Sequence, residues 1–141
     1  MNAYKGSCHC GAIGFTYCCD QAPSAWTIRA CQCRFCRAHD ALSASDPAAT
    51  ITLMAREPEF LHRYRFGLRT ADFLLCRRCG VYIGALIETP KGHFGIINTH
   101  ALTNPAPDLA AAQPMEYGEE QTEDRVLRRE DRWAPATDFP K

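Results

Sequence analysis

Short apolar stretches separated by turn-forming residues dominate residues 1–100. Seven stretches rich in β-branched and aromatic side chains predict strands at 12–17, 25–28, 49–53, 60–66, 72–75, 81–87 and 93–97. Gly, Pro, Asp or Cys residues bound these stretches, and helical periodicity is weak throughout the region. The pattern therefore predicts a mainly β body with mostly antiparallel strands.

The rest of the chain has a different pattern. Acidic residues lead and arginines follow over 123–131, which predicts a helix capped by Thr122. Proline-containing segments at 104–107 and 113–114 flank an alanine-rich stretch, which we expect to form a loop or one short helix. We divide the chain into a β domain, 1–103, and a C-terminal extension, 104–141. The extension either packs on the same domain or offers a dimer or partner surface through Val126, Leu127 and Trp133.

The composition is that of a folded, globular protein. The chain has 141 residues, of which 46% are hydrophobic and 23% are charged, and this length favours a single domain. The longest apolar run, 81–87, is too short to cross a bilayer. Because the first residues also lack the pattern of a secretory signal, we expect a cytoplasmic protein without a membrane partner.

The charge is balanced overall but unevenly distributed. Residues 1–100 carry 11 basic and 7 acidic side chains, and residues 101–141 carry 5 basic and 9 acidic ones. A neutral total without a basic stripe argues against nucleic acid as a partner. Most of the basic residues are arginines, whose planar guanidinium suits carboxylates, so the body is able to accept a small anionic ligand.

Nine cysteines in a reducing compartment indicate metal ligands more than disulfides. Seven of them form three spaced groups, which are Cys8 with Cys10, Cys31 with Cys33 and Cys36, and Cys76 with Cys79. Cys18 and Cys19 are adjacent, so one is expected in the core and the other at the surface. Redox sensing through either of these two thiols is a weaker alternative.

Two of these groups together supply four thiolates. A C-x-x-C turn such as Cys76–Cys79 places two sulphurs on one side of a tight knuckle, and Gly80 allows the backbone to fold back. With Cys8 and Cys10 it completes the four-ligand set of a structural zinc ion. A redox C-x-x-C is the minor alternative, since no βαβ pattern surrounds it.

Cys31, Cys33 and Cys36 supply only three sulphurs. An open fourth position is typical of catalytic zinc, and three thiolates suit the capture of a fourth thiolate from a substrate. The alternative is that His39, three residues after Cys36, closes a structural site. The spacing alone leaves these two possibilities open.

The order of these motifs resembles a known family. Gly6-x-Cys8-His9-Cys10-Gly11, Cys31-x-Cys33-x-x-Cys36-Arg37 and Cys76-x-x-Cys79-Gly80, with His93-Phe94-Gly95 downstream, are similar to the glutathione-dependent formaldehyde-activating enzymes, which include the centromere protein V-like proteins. The resemblance implies a zinc-containing β-tent with two zinc ions per chain. It assigns structural zinc to Cys8, Cys10, Cys76 and Cys79, and catalytic zinc to Cys31, Cys33 and Cys36.

The resemblance further implies a carbon–sulfur lyase that joins glutathione to an aldehyde such as formaldehyde, or cleaves the adduct. Candidates for proton transfer are His39, Asp40, Glu88, His93 and His100. Candidates for binding a glutathione carboxylate are Arg34, Arg37, Arg77 and Arg78. The alternative from another functional class is a non-catalytic binding module stabilised by two closed zinc sites.

Overall fold

The computed structural model of the chain describes residues 1–104 and 108–140. The strands are β1 (Asn2–Ser7), β2 (Ile13–Cys19), β3 (Ile28–Cys31), β4 (Ser43–Ala44), β5 (Thr50–Ala55), β6 (Leu61–Tyr64), β7 (Asp72–Cys76), β8 (Tyr82–Thr89), β9 (Gly92–Asn98), β10 (Ala112–Met115) and β11 (Ala134–Thr137). The helices are α1 (Arg34–His39) and α2 (Thr122–Arg132). The predicted mainly β class with a short C-terminal helix is confirmed. No helix within the described ranges is both long and apolar enough to span a membrane.

The strands form one branched sheet around β9. One edge of β9 pairs with β8, which continues through β7 to β6, and the other edge is shared by β11 and β4. From β11 the sheet runs through β5 and β2 to β1, and from β4 it runs through β3 to β10. All pairings are antiparallel except β10 with β3 and β11 with β5. Strands β10 and β11, from the C-terminal extension, thus pair with strands of the N-terminal body.

Several boundaries differ from the sequence prediction. The strand predicted at 25–28 begins only at Ile28, because a 3₁₀ turn occupies Pro23–Ala25. The alanine-rich stretch is a loop as far as Ala111, as expected, and strand β10 (Ala112–Met115) then covers the proline-containing segment at 113–114. The predicted turn residues Pro105 and Pro107 lie outside the described residues.

Helix α2 confirms the predicted helix but not its cap. The helix begins at Thr122, and its N-cap is Gln121, whose side chain makes no capping hydrogen bond. Glu123 and Asp124 lie in the first turn, and Arg129 and Arg132 lie in the last, as the charge order indicates. The helix is followed directly by Trp133, which is buried in the body.

The buried apolar side chains form two clusters. The larger cluster lies under β2 and β5 and includes Ile13, Phe15 and Tyr17 together with Cys8 and Cys76. The smaller includes Phe73, Tyr82 and Trp133 together with Cys36. Each cysteine group predicted to bind metal is therefore attached to a different part of the core.

Gly84 is required where β8 crosses the centre of the sheet. It pairs with Leu74 of β7 and Ile97 of β9, and a Cβ added there would overlap the backbone carbonyl oxygen of Ile96. Gly84→Ala is therefore expected to lower the free energy of unfolding by about 2 kcal/mol or more, measured by urea denaturation. Gly118→Ala is the matched control, because no atom lies within 4 Å of its added Cβ. Equal stability of the two variants would contradict this account.

Candidate functional site

The three-cysteine site, Cys31, Cys33 and Cys36, is built where β3 passes into α1. Cys31 ends β3, Cys33 is the N-cap of α1, and Cys36 lies inside the helix. The Cys33 sulphur accepts a hydrogen bond from the backbone N–H of Cys36 at 3.4 Å. A cysteine sulphur thus takes the capping role for which Ser, Thr, Asp and Asn are the preferred residues. The short helix α1 was not predicted, since six residues carry too little periodicity.

Aromatic packing fixes the orientation of α1. The ring of Phe35, next to the site, lies 5.0 Å from Phe66, 5.0 Å from Phe73 and 5.1 Å from Tyr82, measured between centroids. Helices this short are unstable alone, so tertiary contacts must hold them. The Phe35 contacts therefore hold α1, and with it Cys33 and Cys36, against the smaller apolar cluster.

The four-cysteine site, Cys8, Cys10, Cys76 and Cys79, joins two hairpins that are far apart in sequence. Cys8 and Cys10 lie in the β1–β2 connection, and Cys76 and Cys79 lie at the β7–β8 connection. Backbone N–H groups point at two of the sulphurs, with Ile13 donating to Cys8 at 3.4 Å and Arg78 to Cys76 at 3.4 Å. Gly80 has φ +80°, a conformation that lets the knuckle fold back as predicted.

Both groups fit a zinc ion. Within each group all sulphurs lie within 4.8 Å of one another. The sulphur atoms of Cys8 and Cys10 are 3.7 Å apart, and those of Cys10 and Cys76 are 3.5 Å apart. Four tetrahedral ligands at a Zn–S length of about 2.3 Å would be separated by about 3.8 Å. All nine cysteines are free thiols, so disulfides do not compete for these residues.

Arg78 supports the four-cysteine site electrostatically. Hydrogen bonding from its side chain is the main cause that lowers the pKa of Cys10 to about 6, whereas burial raises the pKa of Cys8 to about 11. Arg78 also binds Glu57 through both terminal nitrogens, at 2.6 and 3.3 Å. The positive charge of Arg78 therefore interacts with Cys10 and Glu57 and does not act at the three-cysteine site.

The three-cysteine site has three thiols and no fourth ligand in the described part of the chain. His39 is not among the ligand atoms that cluster there. Its ring packs instead 4.5 Å from Phe35 and 5.6 Å from Tyr82, measured between centroids. Hydrogen bonding from Cys31, and then from Cys36, lowers the pKa of Cys33. The group thus favours at least one thiolate before any metal binds.

A cavity of about 160 Å³ opens beside the three-cysteine site, and all three cysteines line it. Its other walls come from β3, β4, β7 and β9, the β6–β7 connection and the C-terminal extension. The lining includes the apolar side chains of Phe66 and Phe73 and the hydroxyl-bearing side chains of Thr70 and Tyr117. We call this space the cysteine–arginine cavity, because Arg29, Arg125, Arg128 and Arg129 also line it.

The other residues predicted from the sequence lie elsewhere. None of the five proton-transfer candidates lines the cysteine–arginine cavity in the described residues. Asp40 is exposed and lies 3.7 Å from His100, and Glu88 is exposed and lies 3.5 Å from His93. The carboxylate-binding candidates Arg34, Arg37, Arg77 and Arg78 are also exposed and do not line the cavity. Cys19 is buried and Cys18 half-buried, and neither belongs to a metal-ligand group in the described residues.

The arginines that do line the cavity were missed as ligands. Three of them lie on α2, in a segment that the sequence marks as a charged helix. The available signal was the four-residue spacing of Arg125, Arg129 and Trp133, which places a tryptophan on the same helical face as two arginines. Charge alone does not reveal such a face, because most charged residues of a surface helix face solvent.

Comparison with known proteins identifies the family of the chain. The sequence profile described as "Glutathione-dependent formaldehyde-activating enzyme" matches residues 3–116, which include all seven clustered cysteines. A crystal structure of a Rhodobacter sphaeroides protein is similar, with a TM-score of 0.57 and 30% sequence identity. That similarity covers 79% of this chain and 99% of the Rhodobacter chain. The chain therefore belongs to the glutathione-dependent formaldehyde-activating enzyme family.

Proposed function

We propose that the protein is a zinc-dependent carbon–sulfur lyase that forms or cleaves the bond between glutathione and formaldehyde. The observation that carries the proposal is the three-cysteine site, where three clustered sulphurs line a cavity and no protein side chain of the described residues supplies a fourth ligand. Membership of the family supports the same substrates. We further propose two zinc ions per chain, the second in the four-cysteine site.

The reaction is an addition without a change of oxidation state. The sulphur of glutathione forms a bond to the carbonyl carbon of formaldehyde, and the C=O π bond becomes a C–O single bond. The proton lost by the thiol balances the proton gained by the new hydroxyl group of S-hydroxymethylglutathione. In the reverse direction the C–S bond breaks, and the same proton returns to the sulphur.

The chain's own residues provide binding and orientation for this step. Cys31, Cys33 and Cys36 would hold zinc, which when bound supplies positive charge that keeps a substrate thiol ionised near neutral pH. Phe66 and Phe73 line the adjacent cavity and shield the reactants from water. Holding a thiol and an aldehyde together in one cavity removes much of the entropic cost of their encounter.

Cobalt substitution tests the open position directly. Adding glutathione to the cobalt-loaded protein is expected to increase the thiolate-to-cobalt absorption, because a fourth sulphur joins the three-cysteine site. His39→Ala is expected to leave the spectrum without glutathione unchanged, since His39 lies outside the ligand cluster. In a binding module with two closed sites, glutathione would leave the absorption unchanged and His39→Ala would alter the spectrum. That result would overturn the proposed function.

A further inference from the structure

The walls of the cysteine–arginine cavity carry more positive charge than their own carboxylates neutralise. Arg125 and Arg128 are paired with Glu120, whose carboxylate accepts their hydrogen bonds at 2.7–3.1 Å. Arg29 and Arg129 have no carboxylate within 4.0 Å among the described residues. Glu116 also lines the cavity, but it is exposed. Two arginines that line this space therefore have no carboxylate partner among the described residues.

Arg129 is held in place although it is buried. Its side chain is among the few buried charged groups, with 8% of the residue exposed. One terminal nitrogen donates to the Thr70 hydroxyl at 2.7 Å, and the guanidinium lies over the Trp133 ring, 4.8 Å from its centroid. Burial lowers its pKa to about 10, so it remains a cation near neutral pH. A buried cation fixed by two neutral partners is costly unless an anion completes its environment.

Two buried hydrogen-bond donors in this region, one of them on the Arg129 guanidinium itself, are left without partners. Across the described residues, the buried side-chain nitrogen and oxygen atoms that make no hydrogen bond are Arg129 Nε and Tyr82 Oη. Both residues are close to the three-cysteine site, since Tyr82 packs in the same apolar cluster as Cys36 and Trp133. Buried polar atoms in native proteins almost always have partners, so an unpaired donor on Arg129, which lines the cavity, indicates a missing acceptor.

We infer that the cysteine–arginine cavity binds a carboxylate of the thiol reactant, with Arg129 as the main anion-binding residue and Arg29 as the second. The inference rests on the proposed function, because the thiol must reach the three-cysteine site. A carboxylate provides the negative charge and the acceptor oxygens that the Arg129 guanidinium lacks, and guanidinium–carboxylate pairs are among the strongest hydrogen-bonded pairs. A cavity of about 160 Å³ suits a short carboxylate-bearing arm rather than a whole tripeptide.

Arg129 has a competing role that the experiment must separate. Three thiolates around a divalent ion carry a net charge of about −1, and a nearby guanidinium also stabilises such a centre. If charge compensation were its only role, removing Arg129 would weaken zinc retention and the binding of every thiol equally. If it binds a carboxylate, its removal affects only thiols that carry one.

Isothermal titration calorimetry of the zinc-loaded protein with two matched thiols makes this distinction. The probes are 3-mercaptopropionate and 3-mercaptopropionamide, which differ only in replacing the carboxylate by a neutral amide. We expect the wild type to bind the carboxylate at least about ten-fold more tightly. Arg129→Gln should reduce this preference to below about two-fold while leaving the amide's Kd unchanged. Arg132→Gln, an exposed position on the same helix, should retain the full preference.

Each outcome decides the inference. If both thiols bind wild type equally, the carboxylate site is wrong while the proposed function stands. If neither thiol binds, the proposed function fails and the inference fails with it. If Arg129→Gln weakens both thiols equally or loses zinc, the arginine compensates charge and the inference is overturned.

Two further variants keep the test decisive if Arg129→Gln does not fold. Arg129→Lys retains the charge but not the planar group, and should keep only part of the preference. Arg29→Gln removes the second unpaired guanidinium, which is half-buried and held by Ser45 at 3.0 Å, and should reduce the preference severalfold. Full retention of the preference in both variants would overturn the inference.

Discussion

Cys76→Ser is expected to leave the protein unfolded at room temperature, or to lower its free energy of unfolding by several kcal/mol. Cys76 is 2% exposed, and its sulphur is 3.5 Å from that of Cys10, which lies 66 residues earlier. Structural zinc contributes of the order of 10 kcal/mol in small domains, comparable with the 5–15 kcal/mol that stabilises a whole domain. Losing one of the four ligands is therefore expected to remove most of the free energy that keeps the protein folded. Circular dichroism during heating and the zinc content per chain measure the two effects.

Cys19→Ser is the matched control for this substitution. Cys19 is also buried, at 5% exposed, and lies outside both cysteine groups in the described residues. Its sulphur donates to the carbonyl oxygen of Gln21 at 3.4 Å, a bond that a serine hydroxyl can replace. The control is expected to lose about 1 kcal/mol and to retain its zinc. If the two variants were equally stable, the four-cysteine site would not hold the fold.

The sequence predicts strands with a buried apolar face better than mostly exposed ones, for a physical reason. Strands β2, β7, β8 and β9 have buried apolar faces, which leave a clear pattern in the sequence. By contrast β1 and β10, at the two ends of the sheet path, are mostly exposed, and β10 contains Pro114. An edge strand tolerates polar residues and proline because one side of its backbone needs no partner. Such a strand is recognised only once its neighbour in space is known.

The candidate site shows the same division between local and distant information. Ligand spacing is local, so the cysteine groups could be predicted from the sequence and do come together in the fold. The burial of Arg129 is not local, because it depends on α2 packing beside β9 and on Thr70 from another connection. Leu127, which the sequence offered as part of a partner surface, is 57% exposed, whereas Trp133 is buried. The helix thus turns its arginine and tryptophan face to the cavity.

Cys33→Ser is expected to reduce the proposed lyase rate at least about 100-fold while leaving the fold intact. Cys33 lines the cavity and is one of the three cysteine sulphurs that the described residues place there, so serine leaves too few ligands to hold zinc. The same residue is the N-cap of α1, and serine is a preferred N-cap. Its hydroxyl can accept the bond from the Cys36 N–H that the sulphur accepts now. The substitution therefore separates metal binding from helix capping.

Exchange NMR spectroscopy of glutathione with formaldehyde measures the rate, and elemental analysis measures the zinc. The variant is expected to retain one zinc ion per chain, in the four-cysteine site, and a melting temperature close to that of wild type. Cys33→Ala supplies the comparison, because it loses the same zinc ligand and also the cap, at a further cost of about 1 kcal/mol. Cys18→Ser, at a half-buried thiol outside both groups, should keep full activity and both ions. An active Cys33→Ser variant with two zinc ions would mean that the reaction does not depend on the three-cysteine site.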